Sequence, residues 1–243
     1  MISVCVATYN GAKYIRRQLD SIRVQLADTD EIIVSDDMSS DNTLQEIRNI
    51  GDERIKIYSH AKEHAKFVID YATRNFENAL SHAKGDIIFL SDQDDVWLPD
   101  KVDVMLEALK NSDMVMSDCC TTDQDLHIIS NSYYGTERSF KPSVIYNFVK
   151  PSFLGSCMAF KRNILDLALP FPRYGVGHDL WLGLIGIKYY KFSFINKPLI
   201  LYRRHKFTVT DGGKANNTSL MFKIKYRMYV LFALARLLSK GRK

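Results

Sequence analysis

Cysteine is scarce in this chain of 243 residues, and the four present form no spaced framework. Two of them are adjacent, and a metal role for that pair would need further Cys or His at ligand spacing. The pattern therefore excludes a disulfide-stapled scaffold. No secretory signal precedes the first predicted strand, so we expect a reduced cytoplasmic compartment in which all four serve as packing residues. The cysteines are Cys5, Cys119, Cys120 and Cys157.

Glycine and proline are also few, at 12 and 6 residues, and they punctuate loops without forming a linker. No repeat or low-complexity tract appears. A hydrophobic content of 46% with 25% charged residues is ordinary for a globular protein that can bury a core. We therefore expect residues 1–215 to form one domain and residues 216–243 to form a separate tail.

The tail lacks acidic residues entirely, since none follows Asp211. Its aliphatic and aromatic residues are too interrupted by Lys and Arg to span a bilayer, yet apolar enough to lie in its surface. Basic side chains beside such a helix add attraction to anionic lipid, so we expect peripheral membrane association. A terminal helix that packs on the core with a solvated basic face is the alternative, and the dense aliphatic content argues against a nucleic-acid partner. The basic residues are Lys223, Lys225, Arg227, Arg236, Lys240, Arg242 and Lys243.

Short β-branched runs alternate with helical stretches through the first half of the chain. This alternation predicts an α/β fold with a mainly parallel central sheet flanked by helices. Ligands of such sheets bind beyond the carboxyl ends of the strands. The predicted strands are residues 2–6, 31–35, 54–58, 86–91 and 113–117, and the predicted helices are residues 12–26, 43–50, 65–83 and 101–111.

Three carboxylates stand within four positions, at Asp92, Asp94 and Asp95, where a buried apolar strand ends. Mg²⁺ and Mn²⁺ prefer oxygen ligands, and Mg²⁺ is usually held by one or two protein carboxylates while substrate phosphates complete the shell. The cluster therefore predicts a metal-bridged phosphorylated ligand, with a solvated acidic turn as the alternative. An EF-hand loop is excluded because the twelfth place from Asp92 is Asp103, where such a loop needs Glu.

Four segments together carry a resemblance to a known family. Residues 2–10 resemble the opening strand and nucleotide loop of family 2 glycosyltransferases, and residues 32–43 resemble the second strand of that family with its acidic turn. Residues 91–97 are similar to its metal-binding motif, and residues 177–181 stand where the family places a catalytic carboxylate. The resemblance implies the nucleotide-sugar-binding fold called GT-A.

The resemblance also implies roles for individual residues. Asp37 would accept a hydrogen bond from the base, Asp92 would bind the ribose, and Asp94 would hold Mn²⁺ or Mg²⁺. His205 would complete the metal shell, with a surface histidine as the alternative, and Arg74 would touch the nucleotide unless it is a solvated helix residue. The other residues implied for the nucleotide-sugar site are Thr8, Tyr9, Asn10, Gln93, Arg203 and Arg204.

Inverting sugar transfer needs a base that takes a proton from the acceptor hydroxyl. By resemblance that base is Asp179, whose alternative role is to cap a helix beginning at Leu180. The family more often has Glu before this Asp, where His178 stands here. The acceptor side would further include Asp95, Trp97, Gly155, Ser156 and Trp181.

A finer resemblance points to bacterial rhamnosyltransferases of surface-polysaccharide synthesis, and so to dTDP-rhamnose as the donor, with UDP-hexoses as the alternative. The tail fits a polyprenyl-diphosphate-linked glycan acceptor at the inner face of the plasma membrane. A nucleotidyltransferase would need a glycine-rich loop after the first strand, and this loop has one glycine. A non-catalytic membrane-bound subunit would be expected to have lost one of the four acids, and all four are present: Asp37, Asp92, Asp94 and Asp179.

Overall fold

The strands form one mixed sheet, and the helices pack against it. The computed structural model of the protein describes residues 1–61, 65–137, 140–204 and 220–239. Within them the strands are β1 (Ile2–Thr8), β2 (Glu31–Asp36), β3 (Ile55–Ser59), β4 (Ile87–Asp92), β5 (Val96–Trp97), β6 (Met114–Thr122), β7 (Ile128–Ser130), β8 (Met158–Lys161) and β9 (Phe192–Arg203). The α-helices are α1 (Ile15–Arg23), α2 (Thr43–Arg48), α3 (Val68–His82), α4 (Lys101–Leu109), α5 (Val144–Val149), α6 (Ile164–Ala168), α7 (His178–Tyr189) and α8 (Leu220–Ser239).

The strand order in the sheet is β3-β2-β1-β4-β8-β6-β9-β5, and β7 pairs with β6. The strands β3, β2, β1 and β4 run parallel to one another, as do β6 and β9. β8 lies antiparallel between β4 and β6, and β5 lies antiparallel to β9. The prediction of a mainly parallel sheet flanked by helices is therefore confirmed.

The first four predicted strands lie within two residues of the observed bounds, but the second half of the sheet differs from the prediction. β6 continues to Thr122, and all nine of its residues are buried. It is longer than predicted because β9 pairs with it along its length, while β8 and β7 pair with its opposite edge. β9 itself was not predicted as a strand.

The helices bury apolar faces against the sheet and one another. α1 is amphipathic and buries Ile15, Leu19 and Ile22 at 0% exposure. α7 is buried over almost its whole circumference from Leu180 to Gly186, as expected of a helix that is apolar on all sides. That enclosure fixes α7, whose first turn carries Asp179.

All four cysteines are buried and free, which agrees with their predicted packing role. Burial raises the pKa of the Cys5 thiol well above its ordinary range. Burial likewise raises the pKa of Cys120. Protonated thiols are poor metal ligands, so these cysteines belong to the core.

The C-terminal helix α8 packs against the domain along one face. The ring of Tyr229 contacts Phe67 edge to face at 5.7 Å, and Arg227 donates a hydrogen bond to the Val149 carbonyl at 2.6 Å. Val230 is 1% exposed and Ala233 is 7% exposed. This packing agrees with the alternative prediction, in which the C-terminal helix packs on the core of the domain.

A second apolar face of α8 points to solvent. Its residues recur at helical spacing, which places them on one stripe. Among the described residues, no helix is both long enough and apolar enough to cross a bilayer. The exposed stripe comprises Met221, Ile224, Met228, Leu231 and Phe232, which are 48% to 67% exposed.

Candidate functional site

The carboxyl ends of the central strands bring the predicted polar residues to one rim of the sheet. In the parallel pairing, Thr8 of β1 stands beside Asp36 of β2, and Ala7 stands beside Asp92 of β4. The first loop, the acidic turn after β2 and the acidic cluster after β4 therefore adjoin one another. This is where a sheet of this kind places its ligand.

Most polar side chains of the acidic turn hold the loops together. The Asp36 carboxylate accepts hydrogen bonds from the backbone N–H and hydroxyl of Ser39 at 2.8 and 2.6 Å. The Asp41 carboxylate accepts from the backbone N–H groups of Ala12 and Thr43. Asn10 donates its N–H to the Ser39 hydroxyl at 2.8 Å, which joins the first loop to this turn. Asp37 donates its backbone N–H to the Thr8 carbonyl at 3.0 Å, which ties this turn to the end of β1.

Asp37 is 3% exposed, and its carboxylate lies 2.6 Å from Nδ1 of His60. His60 directly follows β3, and its N–H donates to the Asp36 carbonyl at 2.8 Å. A histidine that fixes the Asp37 carboxylate would orient it for hydrogen bonding to a base. Sequence reasoning missed His60, although its position after a parallel strand was a usable signal.

Gln93 fastens the first loop to the acidic cluster. Its amide oxygen accepts hydrogen bonds from the Thr8 hydroxyl at 2.6 Å and from the Tyr9 N–H at 2.9 Å. Its amide nitrogen donates to the Tyr9 carbonyl at 3.1 Å. Thr8 is buried, whereas Tyr9 is 44% exposed. Gln93 and Thr8 thus shape the predicted nucleotide loop, and Tyr9 lies at its surface.

The acidic cluster concentrates negative charge in a poorly solvated place. Burial, and then the nearby Asp94 and Asp179 carboxylates, raise the pKa of Asp92 to about 7. Burial, and then Asp94 and Asp92, raise the pKa of Asp95 well above its ordinary value. Asp95 is 1% exposed and accepts a hydrogen bond from the Arg203 N–H at 3.0 Å. A cation beside Asp92 and Asp94 would relieve this repulsion.

The two arginines at the end of the last strand occupy different surroundings. Arg203 is 5% exposed, donates its Nε to the Asp94 carbonyl at 2.6 Å and lies 4.6 Å from the Tyr14 ring. It therefore holds the backbone of the acidic cluster. Arg204 lies over the Tyr133 ring at 5.7 Å. Direct contact of either guanidinium with a diphosphate stays a prediction.

A buried lysine, missed by sequence reasoning, lies beneath the acidic cluster. Lys101 is 0% exposed, and its Nζ donates to the Ser156 carbonyl at 3.0 Å and lies 4.8 Å from the Trp97 ring. Burial lowers the pKa of Lys101 to about 8, while the Asp95 carboxylate acts in the opposite direction. Trp97 is 3% exposed and packs on Phe89, so its ring is enclosed.

The predicted base stands in the first turn of α7. The helix begins at His178 with Gly177 at the N-cap, so Asp179 does not occupy the capping position that its alternative role required. Its side-chain oxygen accepts a hydrogen bond from the Leu180 N–H at 2.7 Å. Its negative charge contributes to the raised pKa of Asp92, which places Asp179 near the acidic cluster. A carboxylate is also favoured electrostatically in the first turn of a helix.

His178 and Gly155, both predicted to lie on the acceptor side, stand next to each other. The His178 ring stacks on Phe76 at 4.0 Å, and burial lowers the pKa of His178, so the ring is neutral near pH 7. A Cβ added to Gly155 would lie 2.6 Å from His178 Nε2, so a side chain at this position would displace the ring. Trp181 is 4% exposed and donates its Nε1 to the Ala168 carbonyl at 2.9 Å.

Arg74 connects α3 to the segment before α7. Its guanidinium donates to the Glu77 carboxylate and to the Pro172 carbonyl. It also lines a small cavity together with His60, the partner of Asp37. Arg74 is thus a fixed residue at the edge of the predicted base pocket, and its contact with a nucleotide stays a prediction.

The donor set fits a divalent cation whose shell is completed by a ligand. Within the described ranges, no group of three His, Cys, Asp or Glu side chains forms a metal site by itself. Asp94 offers a hard oxygen donor and Asp92 a second negative charge beside it, which suit Mg²⁺ or Mn²⁺ with substrate phosphates in the remaining positions. His205, the third predicted contributor, lies outside the described residues.

The raised pKa of Asp92 predicts a pH-dependent affinity for Mn²⁺. Near pH 7 the carboxyl begins to protonate, and a cation favours its deprotonated form, so cation binding should release a proton. Below pH 7 the apparent affinity should fall by about tenfold per pH unit, and above pH 7.5 it should level off. Calorimetric titration with Mn²⁺ from pH 5.5 to 8.5 measures this. An affinity that stays constant over that range would contradict the assignment, and Asp92→Asn should remove the dependence.

The order of the strands, with the acidic rim at their carboxyl ends, is that of a GT-A fold. Residues 3–167 match the family described as Glycosyl transferase family 2, and the chain belongs to that family. The family resemblance is thereby confirmed, and the match covers the first three of the four sequence segments.

Two curated relatives show the range of the family. The chain is 25% identical to the dTDP-rhamnosyl transferase RfbG of Shigella flexneri over 91% of this chain and 77% of the relative. It is 33% identical to the UDP-Glc:alpha-D-GlcNAc-diphosphoundecaprenol beta-1,3-glucosyltransferase WfgD of Escherichia coli over 46% of this chain. That match covers 42% of WfgD, so the chain spans less than half the length of this relative.

A solved structure supports the fold assignment. The mannosyltransferase PcManGT of Pyrobaculum calidifontis, in complex with GDP-Man and Mn²⁺, superposes with a TM-score of 0.58 at 22% identity. The superposition covers 99% of this chain and 65% of that chain. At this level of identity the likeness shows the fold.

Proposed function

We propose that the protein is an inverting glycosyltransferase that moves a sugar from a nucleotide-diphosphate donor to a hydroxyl group. One observation carries the proposal: Asp179 stands in the first turn of α7 near the rim carboxylates, where its charge adds to burial and to Asp94 in raising the pKa of Asp92. A proton acceptor and a charge-dense donor site are thereby brought together. A nucleotide site alone would not need a carboxylate there.

The residues divide the reaction between them. Asp37, held by His60, would bind the base, and Asp92 would bind the ribose. Asp94 would hold Mn²⁺ or Mg²⁺, which would offset the charge that develops on the departing diphosphate. Asp179 would take the proton of the acceptor hydroxyl as its oxygen bonds to the anomeric carbon and the bond to the diphosphate breaks on the opposite face.

The neutral state of His178 suits an acceptor site. A buried histidinium would form an ion pair with the neighbouring Asp179 and lower its basicity. Burial instead lowers the pKa of His178, which leaves the Asp179 carboxylate available as a base. Gly155 and Ser156 would lie on the acceptor side. The Ser156 carbonyl accepts a hydrogen bond from Lys101.

We propose the donor and the acceptor from the similarity of the chain to RfbG and WfgD and from the character of its C-terminal tail. RfbG is named a dTDP-rhamnosyl transferase, which supports dTDP-rhamnose, and WfgD is named for UDP-Glc, which supports a UDP-hexose as the alternative. WfgD is also named for a diphosphoundecaprenol acceptor, which supports a polyprenyl-diphosphate-linked glycan. We place the reaction at the cytoplasmic face of the bacterial plasma membrane.

Transfer of labelled sugar to lipid tests the proposal. The purified protein is incubated with a bacterial lipid extract and one radiolabelled donor at a time: dTDP-rhamnose, UDP-glucose, UDP-galactose or UDP-N-acetylglucosamine. One donor should label an organic-extractable product in Mn²⁺ and none should do so in EDTA. Failure of every donor to label lipid, with the protein folded and extracts of several bacteria supplied, would contradict the proposal.

The exposed stripe of α8 should bind anionic membranes. Each half-exposed apolar side chain that enters the interface is worth on the order of 1 kcal/mol, and Lys225 and Arg227 add attraction to anionic lipid. The double variant Ile224→Glu/Leu231→Glu should therefore lower co-sedimentation with phosphatidylglycerol vesicles by at least tenfold. Unchanged sedimentation of this variant would contradict membrane docking through α8.

A matched control separates docking from general surface polarity. Val24 is 73% exposed and lies at the end of α1, away from the stripe. Val24→Glu adds a charge at an exposed apolar position outside the stripe, so it should leave vesicle binding unchanged. Nucleotide binding should be unaffected in both proteins.

A further inference from the structure

A cavity lies between α8 and the segment that precedes α7. Its volume is about 200 Å³, and we call it the α8 pocket. Its walls are mainly apolar and aromatic, while two arginines stand among its lining residues. The apolar and aromatic walls include Leu167, Pro170, Trp181, Tyr229, Phe232 and Ala233.

Contacts on both sides fix the walls of the α8 pocket. Tyr229 packs on Phe67, and a Cβ at Gly175 would lie 2.9 Å from the Tyr229 ring. Gly175 also has a φ of +69°, a conformation that other residues rarely adopt. On the opposite wall, Trp181 is held by its hydrogen bond to the Ala168 carbonyl. The walls of the pocket are therefore held in place by packing and hydrogen bonding.

The two arginines give the α8 pocket a polar rim. Arg173 and Arg236 are both exposed and line the cavity. None of the described residues that line it is acidic. Guanidinium groups bind phosphate oxygens in a bidentate geometry that matches a diphosphate. Apolar walls with a rim of arginines suit a molecule that has a hydrocarbon part joined to a phosphorylated head.

One face of α8 connects this pocket with the proposed base. Tyr226, Tyr229, Ala233 and Arg236 recur at helical spacing and share that face. Tyr226 stands at its near end, where burial and then the Asp179 carboxylate raise the pKa of its phenol. Arg236 stands about 15 Å further along the helix axis. One sugar joined to a diphosphate is shorter than this distance, so an acceptor that spans it carries a glycan of more than one sugar.

The α8 pocket also adjoins the stripe proposed to dock on the membrane. Phe232 belongs to both, because it lines the cavity and is 67% exposed. A hydrocarbon chain in the bilayer interface would therefore meet the cavity at Phe232 without crossing the polar surface of the domain.

We propose that the α8 pocket binds the diphosphate and first isoprene units of a polyprenyl-diphosphate-linked acceptor, with Arg173 and Arg236 on the diphosphate and the apolar walls around the chain. This rests on the proposed function and assigns its acceptor-lipid site. The glycan joined to the diphosphate then extends along α8 toward Asp179, so the lipid anchor positions the acceptor hydroxyl.

Binding of farnesyl diphosphate to the full chain tests the proposal. Calorimetry is performed in EDTA, so that a cation at Asp94 does not contribute, and below the micellar concentration of the ligand. Inorganic pyrophosphate and farnesol serve as head-only and chain-only probes. Farnesyl diphosphate should bind at least tenfold more tightly than either, and equal binding by pyrophosphate or by farnesol would overturn the proposal.

Variants localise the binding. Arg173→Gln/Arg236→Gln should weaken farnesyl diphosphate binding at least tenfold, and Ala233→Trp, which fills the cavity, should do the same. Arg48→Gln, on the exposed surface of α2, is the control for the loss of an exposed arginine and should bind as the unchanged protein does. If Ala233→Trp does not fold, Leu167→Trp fills the same cavity from the other wall. Unchanged binding in folded pocket variants would overturn the site.

A parallel titration with dTDP and Mn²⁺ separates this inference from the proposed function. If the nucleotide binds and farnesyl diphosphate does not, the α8 pocket assignment is wrong and the transferase proposal stands. If farnesyl diphosphate binds through the two arginines and no nucleoside diphosphate binds, the lipid site stands and the transferase proposal fails.

Discussion

Replacing Asp179 with Asn is expected to lower the rate of sugar transfer by about 10²- to 10⁴-fold, the usual contribution of a general base. The amide cannot accept the acceptor's proton, but it preserves the size of the side chain and can still accept the hydrogen bond from the Leu180 N–H. The helix should therefore remain folded. The measurement is the initial rate of labelled-sugar transfer at saturating donor.

Donor binding distinguishes a base from a binding residue. Asp179→Asn should bind the nucleotide sugar and Mn²⁺ with affinity close to that of the unchanged protein, because the loss is confined to the chemical step. Asp166→Asn, at an exposed position of α6, is the matched control and should retain full activity. A transfer rate within threefold of normal in Asp179→Asn would eliminate Asp179 as the base.

Replacing Asp94 with Asn should abolish the metal-dependent part of nucleotide binding. The carboxylate supplies a charged oxygen next to a cation, and its loss is worth several kcal/mol, which corresponds to at least about 100-fold in affinity. Asp103→Asn on the exposed side of α4 is the matched control. The measurement is calorimetric titration with dTDP and UDP in Mn²⁺ and in EDTA.

The same substitution makes a second prediction through Asp92. Because the Asp94 charge helps to raise the pKa of Asp92, its removal should lower that pKa toward the ordinary value. A carboxyl whose pKa is raised on folding costs stability as the pH rises from about 4 to about 7, so Asp94→Asn should lessen the loss of stability over that range. If metal-dependent nucleotide binding survives in Asp94→Asn with unchanged affinity, the cation is held elsewhere.

The rim of the site could be predicted from sequence because parallel strands bring the residues at their carboxyl ends to one edge of the sheet. β1, β2 and β4 each have an apolar centre, so their ends could be located to within two residues. Asp37 and Asp92 stand at those ends. Proximity of Asp179 to the rim could not be derived in this way, since α7 lies far along the chain, and only the family resemblance indicated it.

Several residues could not be assigned because their surroundings depend on distant packing. Trp97 and Trp181 were expected on the acceptor side, yet both are enclosed, at 3% and 4% exposure. Lys101 looks like a solvated helix residue in sequence, whereas it is buried and bonded to the Ser156 carbonyl. β9 was missed because Asn196, Lys197 and Pro198 interrupt its apolar pattern, and its pairing with β6 supplies the stabilisation that the pattern lacks.

The surroundings of the C-terminal helix could also not be predicted from the sequence. Apolar residues occur on all sides of α8, so the sequence offered membrane docking and core packing as alternatives. In the structure Val230 is buried against the domain while Leu231, its neighbour, is 53% exposed. One face of α8 thus packs on the domain and the other faces solvent, and the α8 pocket lies at the boundary between the two faces.

The most direct test of the central claim is nucleoside diphosphate binding to the unchanged protein with and without a divalent cation. dTDP and UDP are titrated into the full chain in Mn²⁺ and again in EDTA. We predict saturable binding of at least one of them at one site per chain, weakened at least tenfold by EDTA. Absence of binding for both nucleotides in Mn²⁺, or equal affinity in EDTA, would contradict a metal-assisted nucleotide-sugar site at this rim.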